Sequence, residues 1–284
     1  MQVVSKLQVE DMKNISFEIR RQLLFMHAKS NESHIASSLS VVDILVTLYF
    51  EIMNIDPNNP YDPDRDRFIL SKGHAASALY AVLAQRGYFE KRVLDSFAGN
   101  GTKISVHPER NSVPGIEVST GSLGHGLSIA TGIALSAKKD CKKFRTFVLM
   151  SDGECEEGSV WEAAMFASRF GLDSLIAIID QNKWQAYDRT DPIQNLSLLK
   201  SKWESFGWAC KEVNGHDFEE LCDVLKDIPF KIGKPSLLIA DTIKGKGIPE
   251  MEDKMEWHYK SPKLENVEKY LNSLRRSYEK SIRK

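Results

Sequence analysis

The sequence has few cysteines and no long apolar run, and each absence excludes a class of protein. Only four of the 284 residues are cysteines, and none forms a Cys-x-x-Cys pair. Structural zinc is therefore not expected, and this cysteine usage fits a reducing compartment better than a disulfide framework. No apolar stretch approaches the ~20 residues that span a bilayer, and the first residues lack the apolar core of a secretory signal. The chain is predicted to be cytoplasmic, with no membrane partner.

The sequence also lacks an excess of either charge. It contains 38 Lys and Arg residues against 39 Asp and Glu residues, which gives a formal net charge of −1 at pH 7. Binding to the phosphate backbone of a nucleic acid needs a basic patch or stripe, and none is visible. A hydrophobic fraction of 42% predicts a globular protein. We expect a small molecule or a protein as partner, and no nucleic acid.

What the sequence does contain is an alternation of strand-like and helix-like segments. Strands are predicted over residues 67–70, 145–150, 174–179, 208–213 and 236–242. Helices are predicted over residues 7–29, 39–50, 75–85, 123–139, 158–169, 197–205, 217–226 and 263–284. This order is typical of an α/β fold with a mostly parallel sheet and helices on both faces. No linker divides the chain, so residues 1–284 are predicted to form one domain.

Two polar segments follow the apolar strands 145–150 and 174–179. Ligands of an open parallel sheet bind beyond the carboxyl ends of its strands. Asp152 and Asn182 stand there, separated by the length of one strand–helix–strand unit. A carboxylate and an amide oxygen suit Mg²⁺, which keeps its other positions for phosphate oxygens and water, and Gly153 leaves room for a phosphate. The spacing predicts a Mg²⁺-diphosphate site, although each residue taken singly is also common in turns.

Five motifs in one order resemble those of the transketolase family. The run Ser151-Asp152-Gly153-Glu154-Cys155-Glu156-Glu157-Gly158-Ser159, followed by Asp180-Gln181-Asn182, is similar to the thiamine diphosphate motif in its transketolase form. The other four are Ser71-Lys72-Gly73-His74-Ala75; His107-Pro108-Glu109 with Pro114-Gly115-Ile116-Glu117; Thr120-Gly121-Ser122-Leu123-Gly124-His125-Gly126; and Lys244-Gly245-Lys246-Gly247 with Trp257-His258. The resemblance covers nearly the whole chain and implies the diphosphate-binding (PP) domain of the thiamine diphosphate-binding fold.

The resemblance implies roles for individual residues around two cofactors, thiamine diphosphate and magnesium. The metal ligands would be Asp152, the side chain of Asn182 and the backbone carbonyl of Trp184. The residues in contact with the organic cofactor would be His74, Gly121, Leu123, Gly153, Asn182, Lys244 and His258. Within this set, Lys244 offers a compact charge for a phosphate, and the turn from Gly121 to Leu123 would pack against the aminopyrimidine.

The resemblance also implies the catalytic residues. His34, His107 and His258 would line the channel over the thiazolium, where imidazole can donate hydrogen bonds to sugar hydroxyls and transfer protons near neutral pH. Glu157, together with Glu162, would lie at a subunit interface that links paired active sites. The implied activity is transfer of a two-carbon ketol unit from a ketose, as its phosphate, to an aldose.

In the family, a glutamate on a second, pyrimidine-binding domain starts catalysis, and a third domain follows it. Neither domain has a counterpart in residues 1–284. We therefore expect the chain to be the N-terminal subunit of a split transketolase. A C-terminal subunit would supply the glutamate and the pyrimidine-binding domain, and an α2β2 heterotetramer is the expected assembly.

Three positions depart from the family pattern. Ser151 replaces the first glycine of the diphosphate motif, Ile35 replaces a usual proline after His34, and Tyr259 replaces a common glycine after His258. The last two lie near the expected sugar channel, so the sequence leaves the sugar substrates open. Two other interpretations remain: a thiamine enzyme that acts on a 2-oxo acid, such as a deoxyxylulose-phosphate synthase or an E1 component, and a non-catalytic binding module.

Overall fold

A parallel sheet lies at the centre of the computed structural model, which describes residues 6–190 and 198–282. Its strands are β1 (Arg67–Leu70), β2 (Thr146–Ser151), β3 (Leu175–Gln181), β4 (Ala209–Asn214) and β5 (Ser236–Asp241). Their order is β1-β2-β3-β5-β4, and each neighbouring pair is parallel. Ser151 at the end of β2 pairs with Asp180 near the end of β3. The segments that follow these two strands therefore leave the sheet side by side.

Helices cover both faces of the sheet. They are α1 (Lys6–Ser30), α2 (Ile35–Ser40), α3 (Val42–Thr47), α4 (Ala76–Arg86), α5 (Gly126–Lys139), α6 (Gly158–Arg169), α7 (Leu199–Ser205), α8 (Phe218–Lys226) and α9 (Val267–Ile282). Phe147 and Leu149 of β2 belong to the hydrophobic cluster under α1 to α4, α8 and α9, whereas Val148 and Met150 pack with α5, α6 and α7. Alternate residues of a strand point to opposite faces. The predicted α/β fold with helices on both faces is confirmed.

The position of each strand in the sheet explains its sequence pattern. β2 and β3 are buried along nearly their whole length, as expected for apolar strands with helices on both sides. β4 lies at the edge of the sheet and is buried at Val213 alone among its residues. The predicted strands agree with the structure to within one or two residues.

The predicted helix over residues 39–50 is broken in the structure. α2 starts earlier, at Ile35, and ends at Ser40, and α3 follows after one residue. The Ser40 hydroxyl oxygen lies 3.0 Å from the carbonyl oxygen of Ser37 and 2.7 Å from the carboxylate of Asp180, and its one proton can be donated to either acceptor. A helical serine that bonds back to the preceding turn often bends its helix. The Ser40 side chain at this break therefore connects the end of α2 to the carboxyl end of β3.

The predicted helix over residues 123–139 begins three residues late, at Gly126, because a turn precedes it. Gly124 in this turn has a φ of 84°, a left-handed conformation that glycine adopts without steric cost. A Cβ there would lie 2.7 Å from Glu157 Cβ, so the turn also needs glycine for its close packing.

Two ends of predicted helices, residue 197 and residues 283–284, lie outside the described part of the chain. Among the described residues, no helix combines the length and the apolar character needed to cross a bilayer.

Candidate active site

The carboxyl ends of β2 and β3 are joined by the Asp152 side chain. Its Oδ2 accepts hydrogen bonds from the backbone N of Lys183 at 2.7 Å and from the Thr190 hydroxyl at 3.1 Å. Its Oδ1 accepts from the backbone N of Gly153 at 2.9 Å. The residue is completely buried. Asp152 therefore lies against the segment that carries Asn182.

The environment of Asp152 disfavours its negative charge. Burial, followed by the nearby charge of Asp180, raises the pKa of the Asp152 carboxyl to about 7, and its backbone hydrogen bonds oppose this rise only in part. The buried carboxylates of Asp152 and Asp180 lie at the carboxyl ends of neighbouring strands and repel each other. A bound cation would relieve that repulsion.

Asn182 is buried and its side-chain amide has a defined orientation. Nδ2 donates to Oδ2 of Asp180 at 2.9 Å, and Oδ1 accepts from the backbone N of Trp184 at 3.1 Å. An amide oxygen has two lone pairs, so Oδ1 keeps one for a cation. The contact with Asp180 therefore decides which end of the amide can serve as a ligand.

Asp180 collects donors from several parts of the chain. Besides Asn182, its carboxylate accepts from the Ser40 hydroxyl at 2.7 Å, from the Lys72 ammonium at 2.5 Å and from the Thr242 hydroxyl. Lys72 and Asp180 are both completely buried. Burial raises the pKa of Asp180, but the Lys72 charge and the hydrogen bonds outweigh it and hold this pKa below its usual value. Partners of this kind orient a metal ligand.

The loop after β3 begins in an unusual backbone conformation. Lys183 has a φ of 69°, which is rare for a residue other than glycine. Residues in such conformations are more frequent at functional sites than elsewhere. The next residue, Trp184, donates its backbone N–H to Asn182 and its indole N–H to Asp253 at 2.7 Å. The Arg189 guanidinium lies 4.3 Å from the centre of the Trp184 ring. These contacts fix the loop that contains the third predicted metal ligand.

A short 3₁₀ turn, Gly153–Glu156, follows β2 and is held by Glu154. The buried Glu154 carboxylate accepts from the Ser71 hydroxyl, from the backbone N of Gly124 at 2.8 Å and from the backbone N of Ser151 at 3.2 Å. In return, the Ser151 hydroxyl accepts from the backbone N of Glu154 at 3.2 Å. The serine that replaces the usual glycine therefore closes the turn.

The turn from Gly121 to Leu123 packs against the segment that follows β1. A Cβ on Gly73 would lie 2.9 Å from backbone atoms of Thr120 and Gly121, closer than real Cβ contacts. A Cβ on Gly121 would lie 3.2 Å from the ring of His107. Glycine at these two positions lets three motif segments meet.

Three histidines from separate segments form a cluster. The ring centres of His34 and His258 are 4.8 Å apart, those of His34 and His74 are 5.3 Å apart, and those of His74 and His258 are 5.9 Å apart. Burial, with the charges of His107 and Lys244, lowers the pKa of His34 to about 4. Burial and the charge of Lys244 lower the pKa of His258 to about 3. Both rings are therefore neutral near pH 7 and can accept or donate a proton.

His34 has an unpaired nitrogen in this cluster. Its backbone N–H donates to the carbonyl of His258 at 3.1 Å, and its φ is 71°. Its ring Nδ1 is buried and has no hydrogen-bond partner among the described residues. Because a buried unpaired polar atom is costly, this nitrogen indicates where a polar ligand would bind.

Lys244 follows β5 and lies beside the histidines. Its Nζ donates to Nδ1 of His258 at 2.8 Å, and the residue is 1% exposed. Burial and the positive charge of Lys72 lower the pKa of Lys244 to about 8. Within the described ranges, the hydrogen-bond partner of this ammonium is a ring nitrogen and not a carboxylate. A buried cation in this state suits a phosphate group.

These residues fit a magnesium-bound diphosphate. Asp152 and Asn182 each have an oxygen with a spare lone pair for a cation. The Lys244 ammonium forms its hydrogen bond with a histidine and not with a carboxylate among the described residues, so its charge remains available to an anion. No cluster of three or more His, Cys, Asp or Glu side chains suited to a metal occurs in residues 6–190 and 198–282. An ion here would therefore depend on one carboxylate, one amide and peptide or ligand oxygens, a set that Mg²⁺ accepts.

Comparison with known proteins decides the family. Residues 13–279 match the family model described as "Transketolase, thiamine diphosphate binding domain". The chain belongs to this transketolase family. It is 40% identical over 274 residues to an apulose-4-phosphate transketolase subunit of Phocaeicola vulgatus, with 96% of this chain and 97% of that protein covered. It is 41% identical over 248 residues to a 6-deoxy-6-sulfo-D-fructose transketolase subunit of a Clostridium species, with 87% and 90% covered.

A solved transketolase shares the fold. The enzyme of Pichia stipitis in complex with sedoheptulose 7-phosphate matches with a TM-score of 0.86 and 26% identity, over 96% of this chain and 44% of that chain. The chain thus spans less than half the length of this solved transketolase. The predicted family, fold and transferase class are confirmed.

The structure places the predicted transketolase residues in two groups. His34, His74 and His258 are in mutual contact and Lys244 contacts His258, whereas Asp152 contacts the loop that carries Asn182. The metal-binding, cofactor-binding and catalytic roles of these residues stay predictions.

Glu157 stands apart from both groups. It is exposed and precedes α6. Its place at a subunit interface also stays a prediction.

The two departures near the predicted sugar channel have different surroundings. Ile35 is completely buried and belongs to the hydrophobic core. Tyr259 is 60% exposed, and the centre of its ring lies 4.9 Å from the centre of the His258 ring at an interplanar angle of 61°. Tyr259 is therefore the departure that can contact a ligand beside His258.

Sequence reasoning missed three charged residues that support the site: Lys72, Glu154 and Asp180. All three are completely buried. Each lies inside a quoted motif, and Asp180 directly follows five apolar residues of β3. A charged residue in such a position is seldom buried without a partner, and this signal could have identified Asp180.

Proposed function

We propose that the chain is the thiamine diphosphate-binding subunit of a split transketolase that transfers a two-carbon ketol unit from a ketose phosphate to an aldose phosphate. The observation that carries this proposal is the arrangement of Asp152, Asn182 and Lys244 beside a cluster of histidines. Asp152 and Asn182 offer oxygen ligands to a cation, and Lys244 offers a buried charge to an anion. A metal-bound diphosphate satisfies both requirements at once.

The proposed cofactor contacts follow from this arrangement. Asp152, Asn182 Oδ1 and the carbonyl of Trp184 would bind Mg²⁺. The diphosphate and its ring system would contact His74, Gly121, Leu123, Gly153, Asn182, Lys244 and His258. When bound, thiamine diphosphate supplies an electron sink that stabilises the negative charge left on carbon as the ketose C–C bond breaks.

The histidines would bind the sugar and transfer its protons. The Lys244 ammonium donates to Nδ1 of His258, so the ring proton of His258 is on Nε2. This Nε2–H can donate to a sugar hydroxyl or carbonyl. The unpaired Nδ1 of His34 offers a second position for a proton, and His107 would contribute from the neighbouring loop. Proton transfer by positioned groups typically contributes about 10²–10⁴-fold to a rate.

An exposed apolar surface on α6 supports the proposal of a partner chain. Met165 is 54% exposed, Phe166 is 40% exposed and Phe170 is 46% exposed. Met165 and Phe166 are three and four residues after Glu162, so they share its face of the helix. Exposed apolar patches of this kind often form protein interfaces. Glu162 of the predicted interface would lie on this surface, and Glu157 would lie beside it at the start of the helix.

The proposed assembly is an α2β2 heterotetramer in the cytoplasm. Relatives that the chain matches over almost their whole length carry the name of a transketolase subunit, which supports a division of the enzyme into two chains. The C-terminal subunit would provide the pyrimidine-binding domain and the glutamate that starts catalysis.

The test is reconstitution with a candidate C-terminal subunit. We expect the two chains to copurify and to transfer a ketol unit from xylulose 5-phosphate or a related ketose phosphate when Mg²⁺ and thiamine diphosphate are present. His34→Ala should reduce kcat/KM by about 10²-fold or more. The matched control is His27→Ala, because His27 is buried but its ring contacts Phe97 and Ser77 outside the cluster.

Other outcomes would contradict the proposal. Turnover of pyruvate without turnover of any ketose phosphate would favour a 2-oxo acid enzyme. A stable complex that binds no thiamine diphosphate would favour a non-catalytic module.

A further inference from the structure

The backbone around Lys244 is held on both sides. Before Lys244, the N–H of Ile243 donates to Nε2 of His216 at 2.9 Å. After it, the carbonyl of Lys246 accepts from Nε of Arg20 at 3.1 Å. His216 lies in the loop after β4 and Arg20 lies in α1, so distant parts of the chain meet at this segment.

Arg20 and His216 share one carboxylate, that of Asp43 in α3. Arg20 donates from Nη1 to Oδ1 at 2.8 Å and from Nη2 to Oδ2 at 2.7 Å, and His216 Nδ1 lies 2.8 Å from Oδ2. Each of the three side chains is at most 8% exposed. Burial raises the pKa of Asp43, but the Arg20 charge and the hydrogen bonds hold it well below its usual range. The three groups form a buried and fully paired unit.

The hydrogen bonds also fix the tautomer of His216. A backbone N–H can only donate, so Nε2 of His216 accepts from Ile243 and has no proton. The proton is therefore on Nδ1 and is donated to Asp43. Asp43 orients the ring, and the ring in turn orients the peptide that precedes Lys244.

We propose that Arg20, Asp43 and His216 form a positioning network that fixes Lys244 for the diphosphate. This inference rests on the proposed function, because it concerns how that site binds its anion. The Lys244 ammonium contacts the His258 ring, and its backbone is held by the bond from Asp253 N to its carbonyl at 2.9 Å and by the His216 and Arg20 contacts on either side. Loss of contacts that orient a metal ligand typically costs about 10–100-fold in metal affinity or activity, and we expect a loss at the lower end of that range for the diphosphate.

Two substitutions of His216 separate the two contacts of its ring. His216→Gln places a side-chain oxygen near the position of Nε2, so it can still accept from Ile243. His216→Asn places its amide near the position of Nδ1 and can keep only the contact with Asp43. If the network acts through Ile243, His216→Gln will retain affinity that His216→Asn loses.

Calorimetric titrations provide the first measurement. Magnesium with thiamine diphosphate, and in a second titration magnesium with inorganic pyrophosphate, is titrated into the assembled enzyme. We expect His216→Asn to weaken binding about tenfold or more and His216→Gln to remain within about threefold of wild type. At saturating cofactor, kcat should change less than twofold. Amide hydrogen exchange at Ile243 should become faster in His216→Asn only.

Asp66→Asn is the matched control for a loss of stability. Asp66 is a buried carboxylate before β1, at the opposite end of the sheet, where it accepts from Arg145 and Asn54. This variant should lower the melting temperature and leave diphosphate affinity unchanged. The positioning network is disproved if His216→Asn binds like wild type, or if Asp66→Asn weakens binding equally. Failure of the wild-type protein to bind either diphosphate would instead reject the proposed function, and this inference with it.

Discussion

The backbone N of Lys183 lies 2.7 Å from Oδ2 of Asp152, so the residue after β2 holds the loop after β3. This contact places two motifs that are far apart in the sequence at one point of the structure. The same carboxylate is buried and has a pKa of about 7. A cation beside Asp152 would stabilise its charged form. The site is therefore preorganised by contacts within the protein, and the following variants test separate parts of it.

The first prediction concerns the buried pair of Lys72 and Asp180. Asp180→Asn removes the charge that pairs with Lys72 and should lower the free energy of unfolding by about 3–5 kcal/mol, because a buried ammonium is left without a counter-charge. Lys72→Met should lower the free energy of unfolding by a similar amount, because the buried Asp180 carboxylate is then left without a counter-charge. The double variant should be clearly more stable than the sum of the two losses implies. Denaturant unfolding measures all three, and additive losses would contradict a coupled pair.

The second prediction concerns the close contact of Gly73 with the turn at Gly121. Gly73→Ala should displace this turn and cost about 1–3 kcal/mol of stability, since its Cβ would meet backbone that cannot move freely. It should also weaken thiamine diphosphate binding. Gly132→Ala is the control, because Gly132 lies in α5 with open space around its Cβ position, and it should stabilise the protein by about 0.5–1 kcal/mol. If Gly73→Ala and Gly132→Ala change the affinity for thiamine diphosphate equally, the contact of Gly73 with the turn at Gly121 does not shape the cofactor site.

The third prediction is a pH dependence that Lys244 causes. Lys244 loses its proton as the pH rises through about 8, so the affinity for thiamine diphosphate should fall above this pH. Without ligand, the sign is opposite: because the folded-state pKa lies below the usual 10.5, the free energy of unfolding should rise with pH between about 8 and 10.5.

Lys244→Arg is the matched variant for this pH dependence. Arginine stays protonated throughout the range, so the fall in affinity above pH 8 should be absent. The difference between the two pH profiles, measured by calorimetric titration, isolates the lysine from the titration of the ligand itself. Parallel profiles would show that Lys244 does not bind the diphosphate in its charged form.

Much of the fold follows from the sequence because its strands are strongly apolar. β2 and β3 each contain an unbroken run of apolar residues, and the prediction for each is correct to within two residues. The broken helix at Ser40 is not predicted, because the apolar pattern continues across it and the contact of Ser40 with Asp180 joins residues far apart in the sequence. The late start of α5 depends on Gly124 in a left-handed turn, and the apolar pattern gave no indication of it.

The candidate site likewise contains some residues that the sequence predicts and others that it does not. Asp152 and Asn182 could be proposed from their positions after two parallel strands, because the sheet geometry alone brings strand ends together. The supporting contacts of Asp180 with Lys72 and of Glu154 with Ser71 join residues about 80 to 110 positions apart, and no local pattern in the sequence predicts such pairs. Their buried charges become informative only once the fold shows which segments meet.

The most direct measurement is a titration of thiamine diphosphate into the assembled wild-type enzyme and into the Asp152→Ala variant, each with Mg²⁺ and with a chelator. We predict that wild type binds only in the presence of Mg²⁺ and that Asp152→Ala loses this metal-dependent binding while the two chains still assemble. Unchanged affinity of Asp152→Ala for the Mg²⁺-bound cofactor would contradict the central claim that this carboxylate holds the metal.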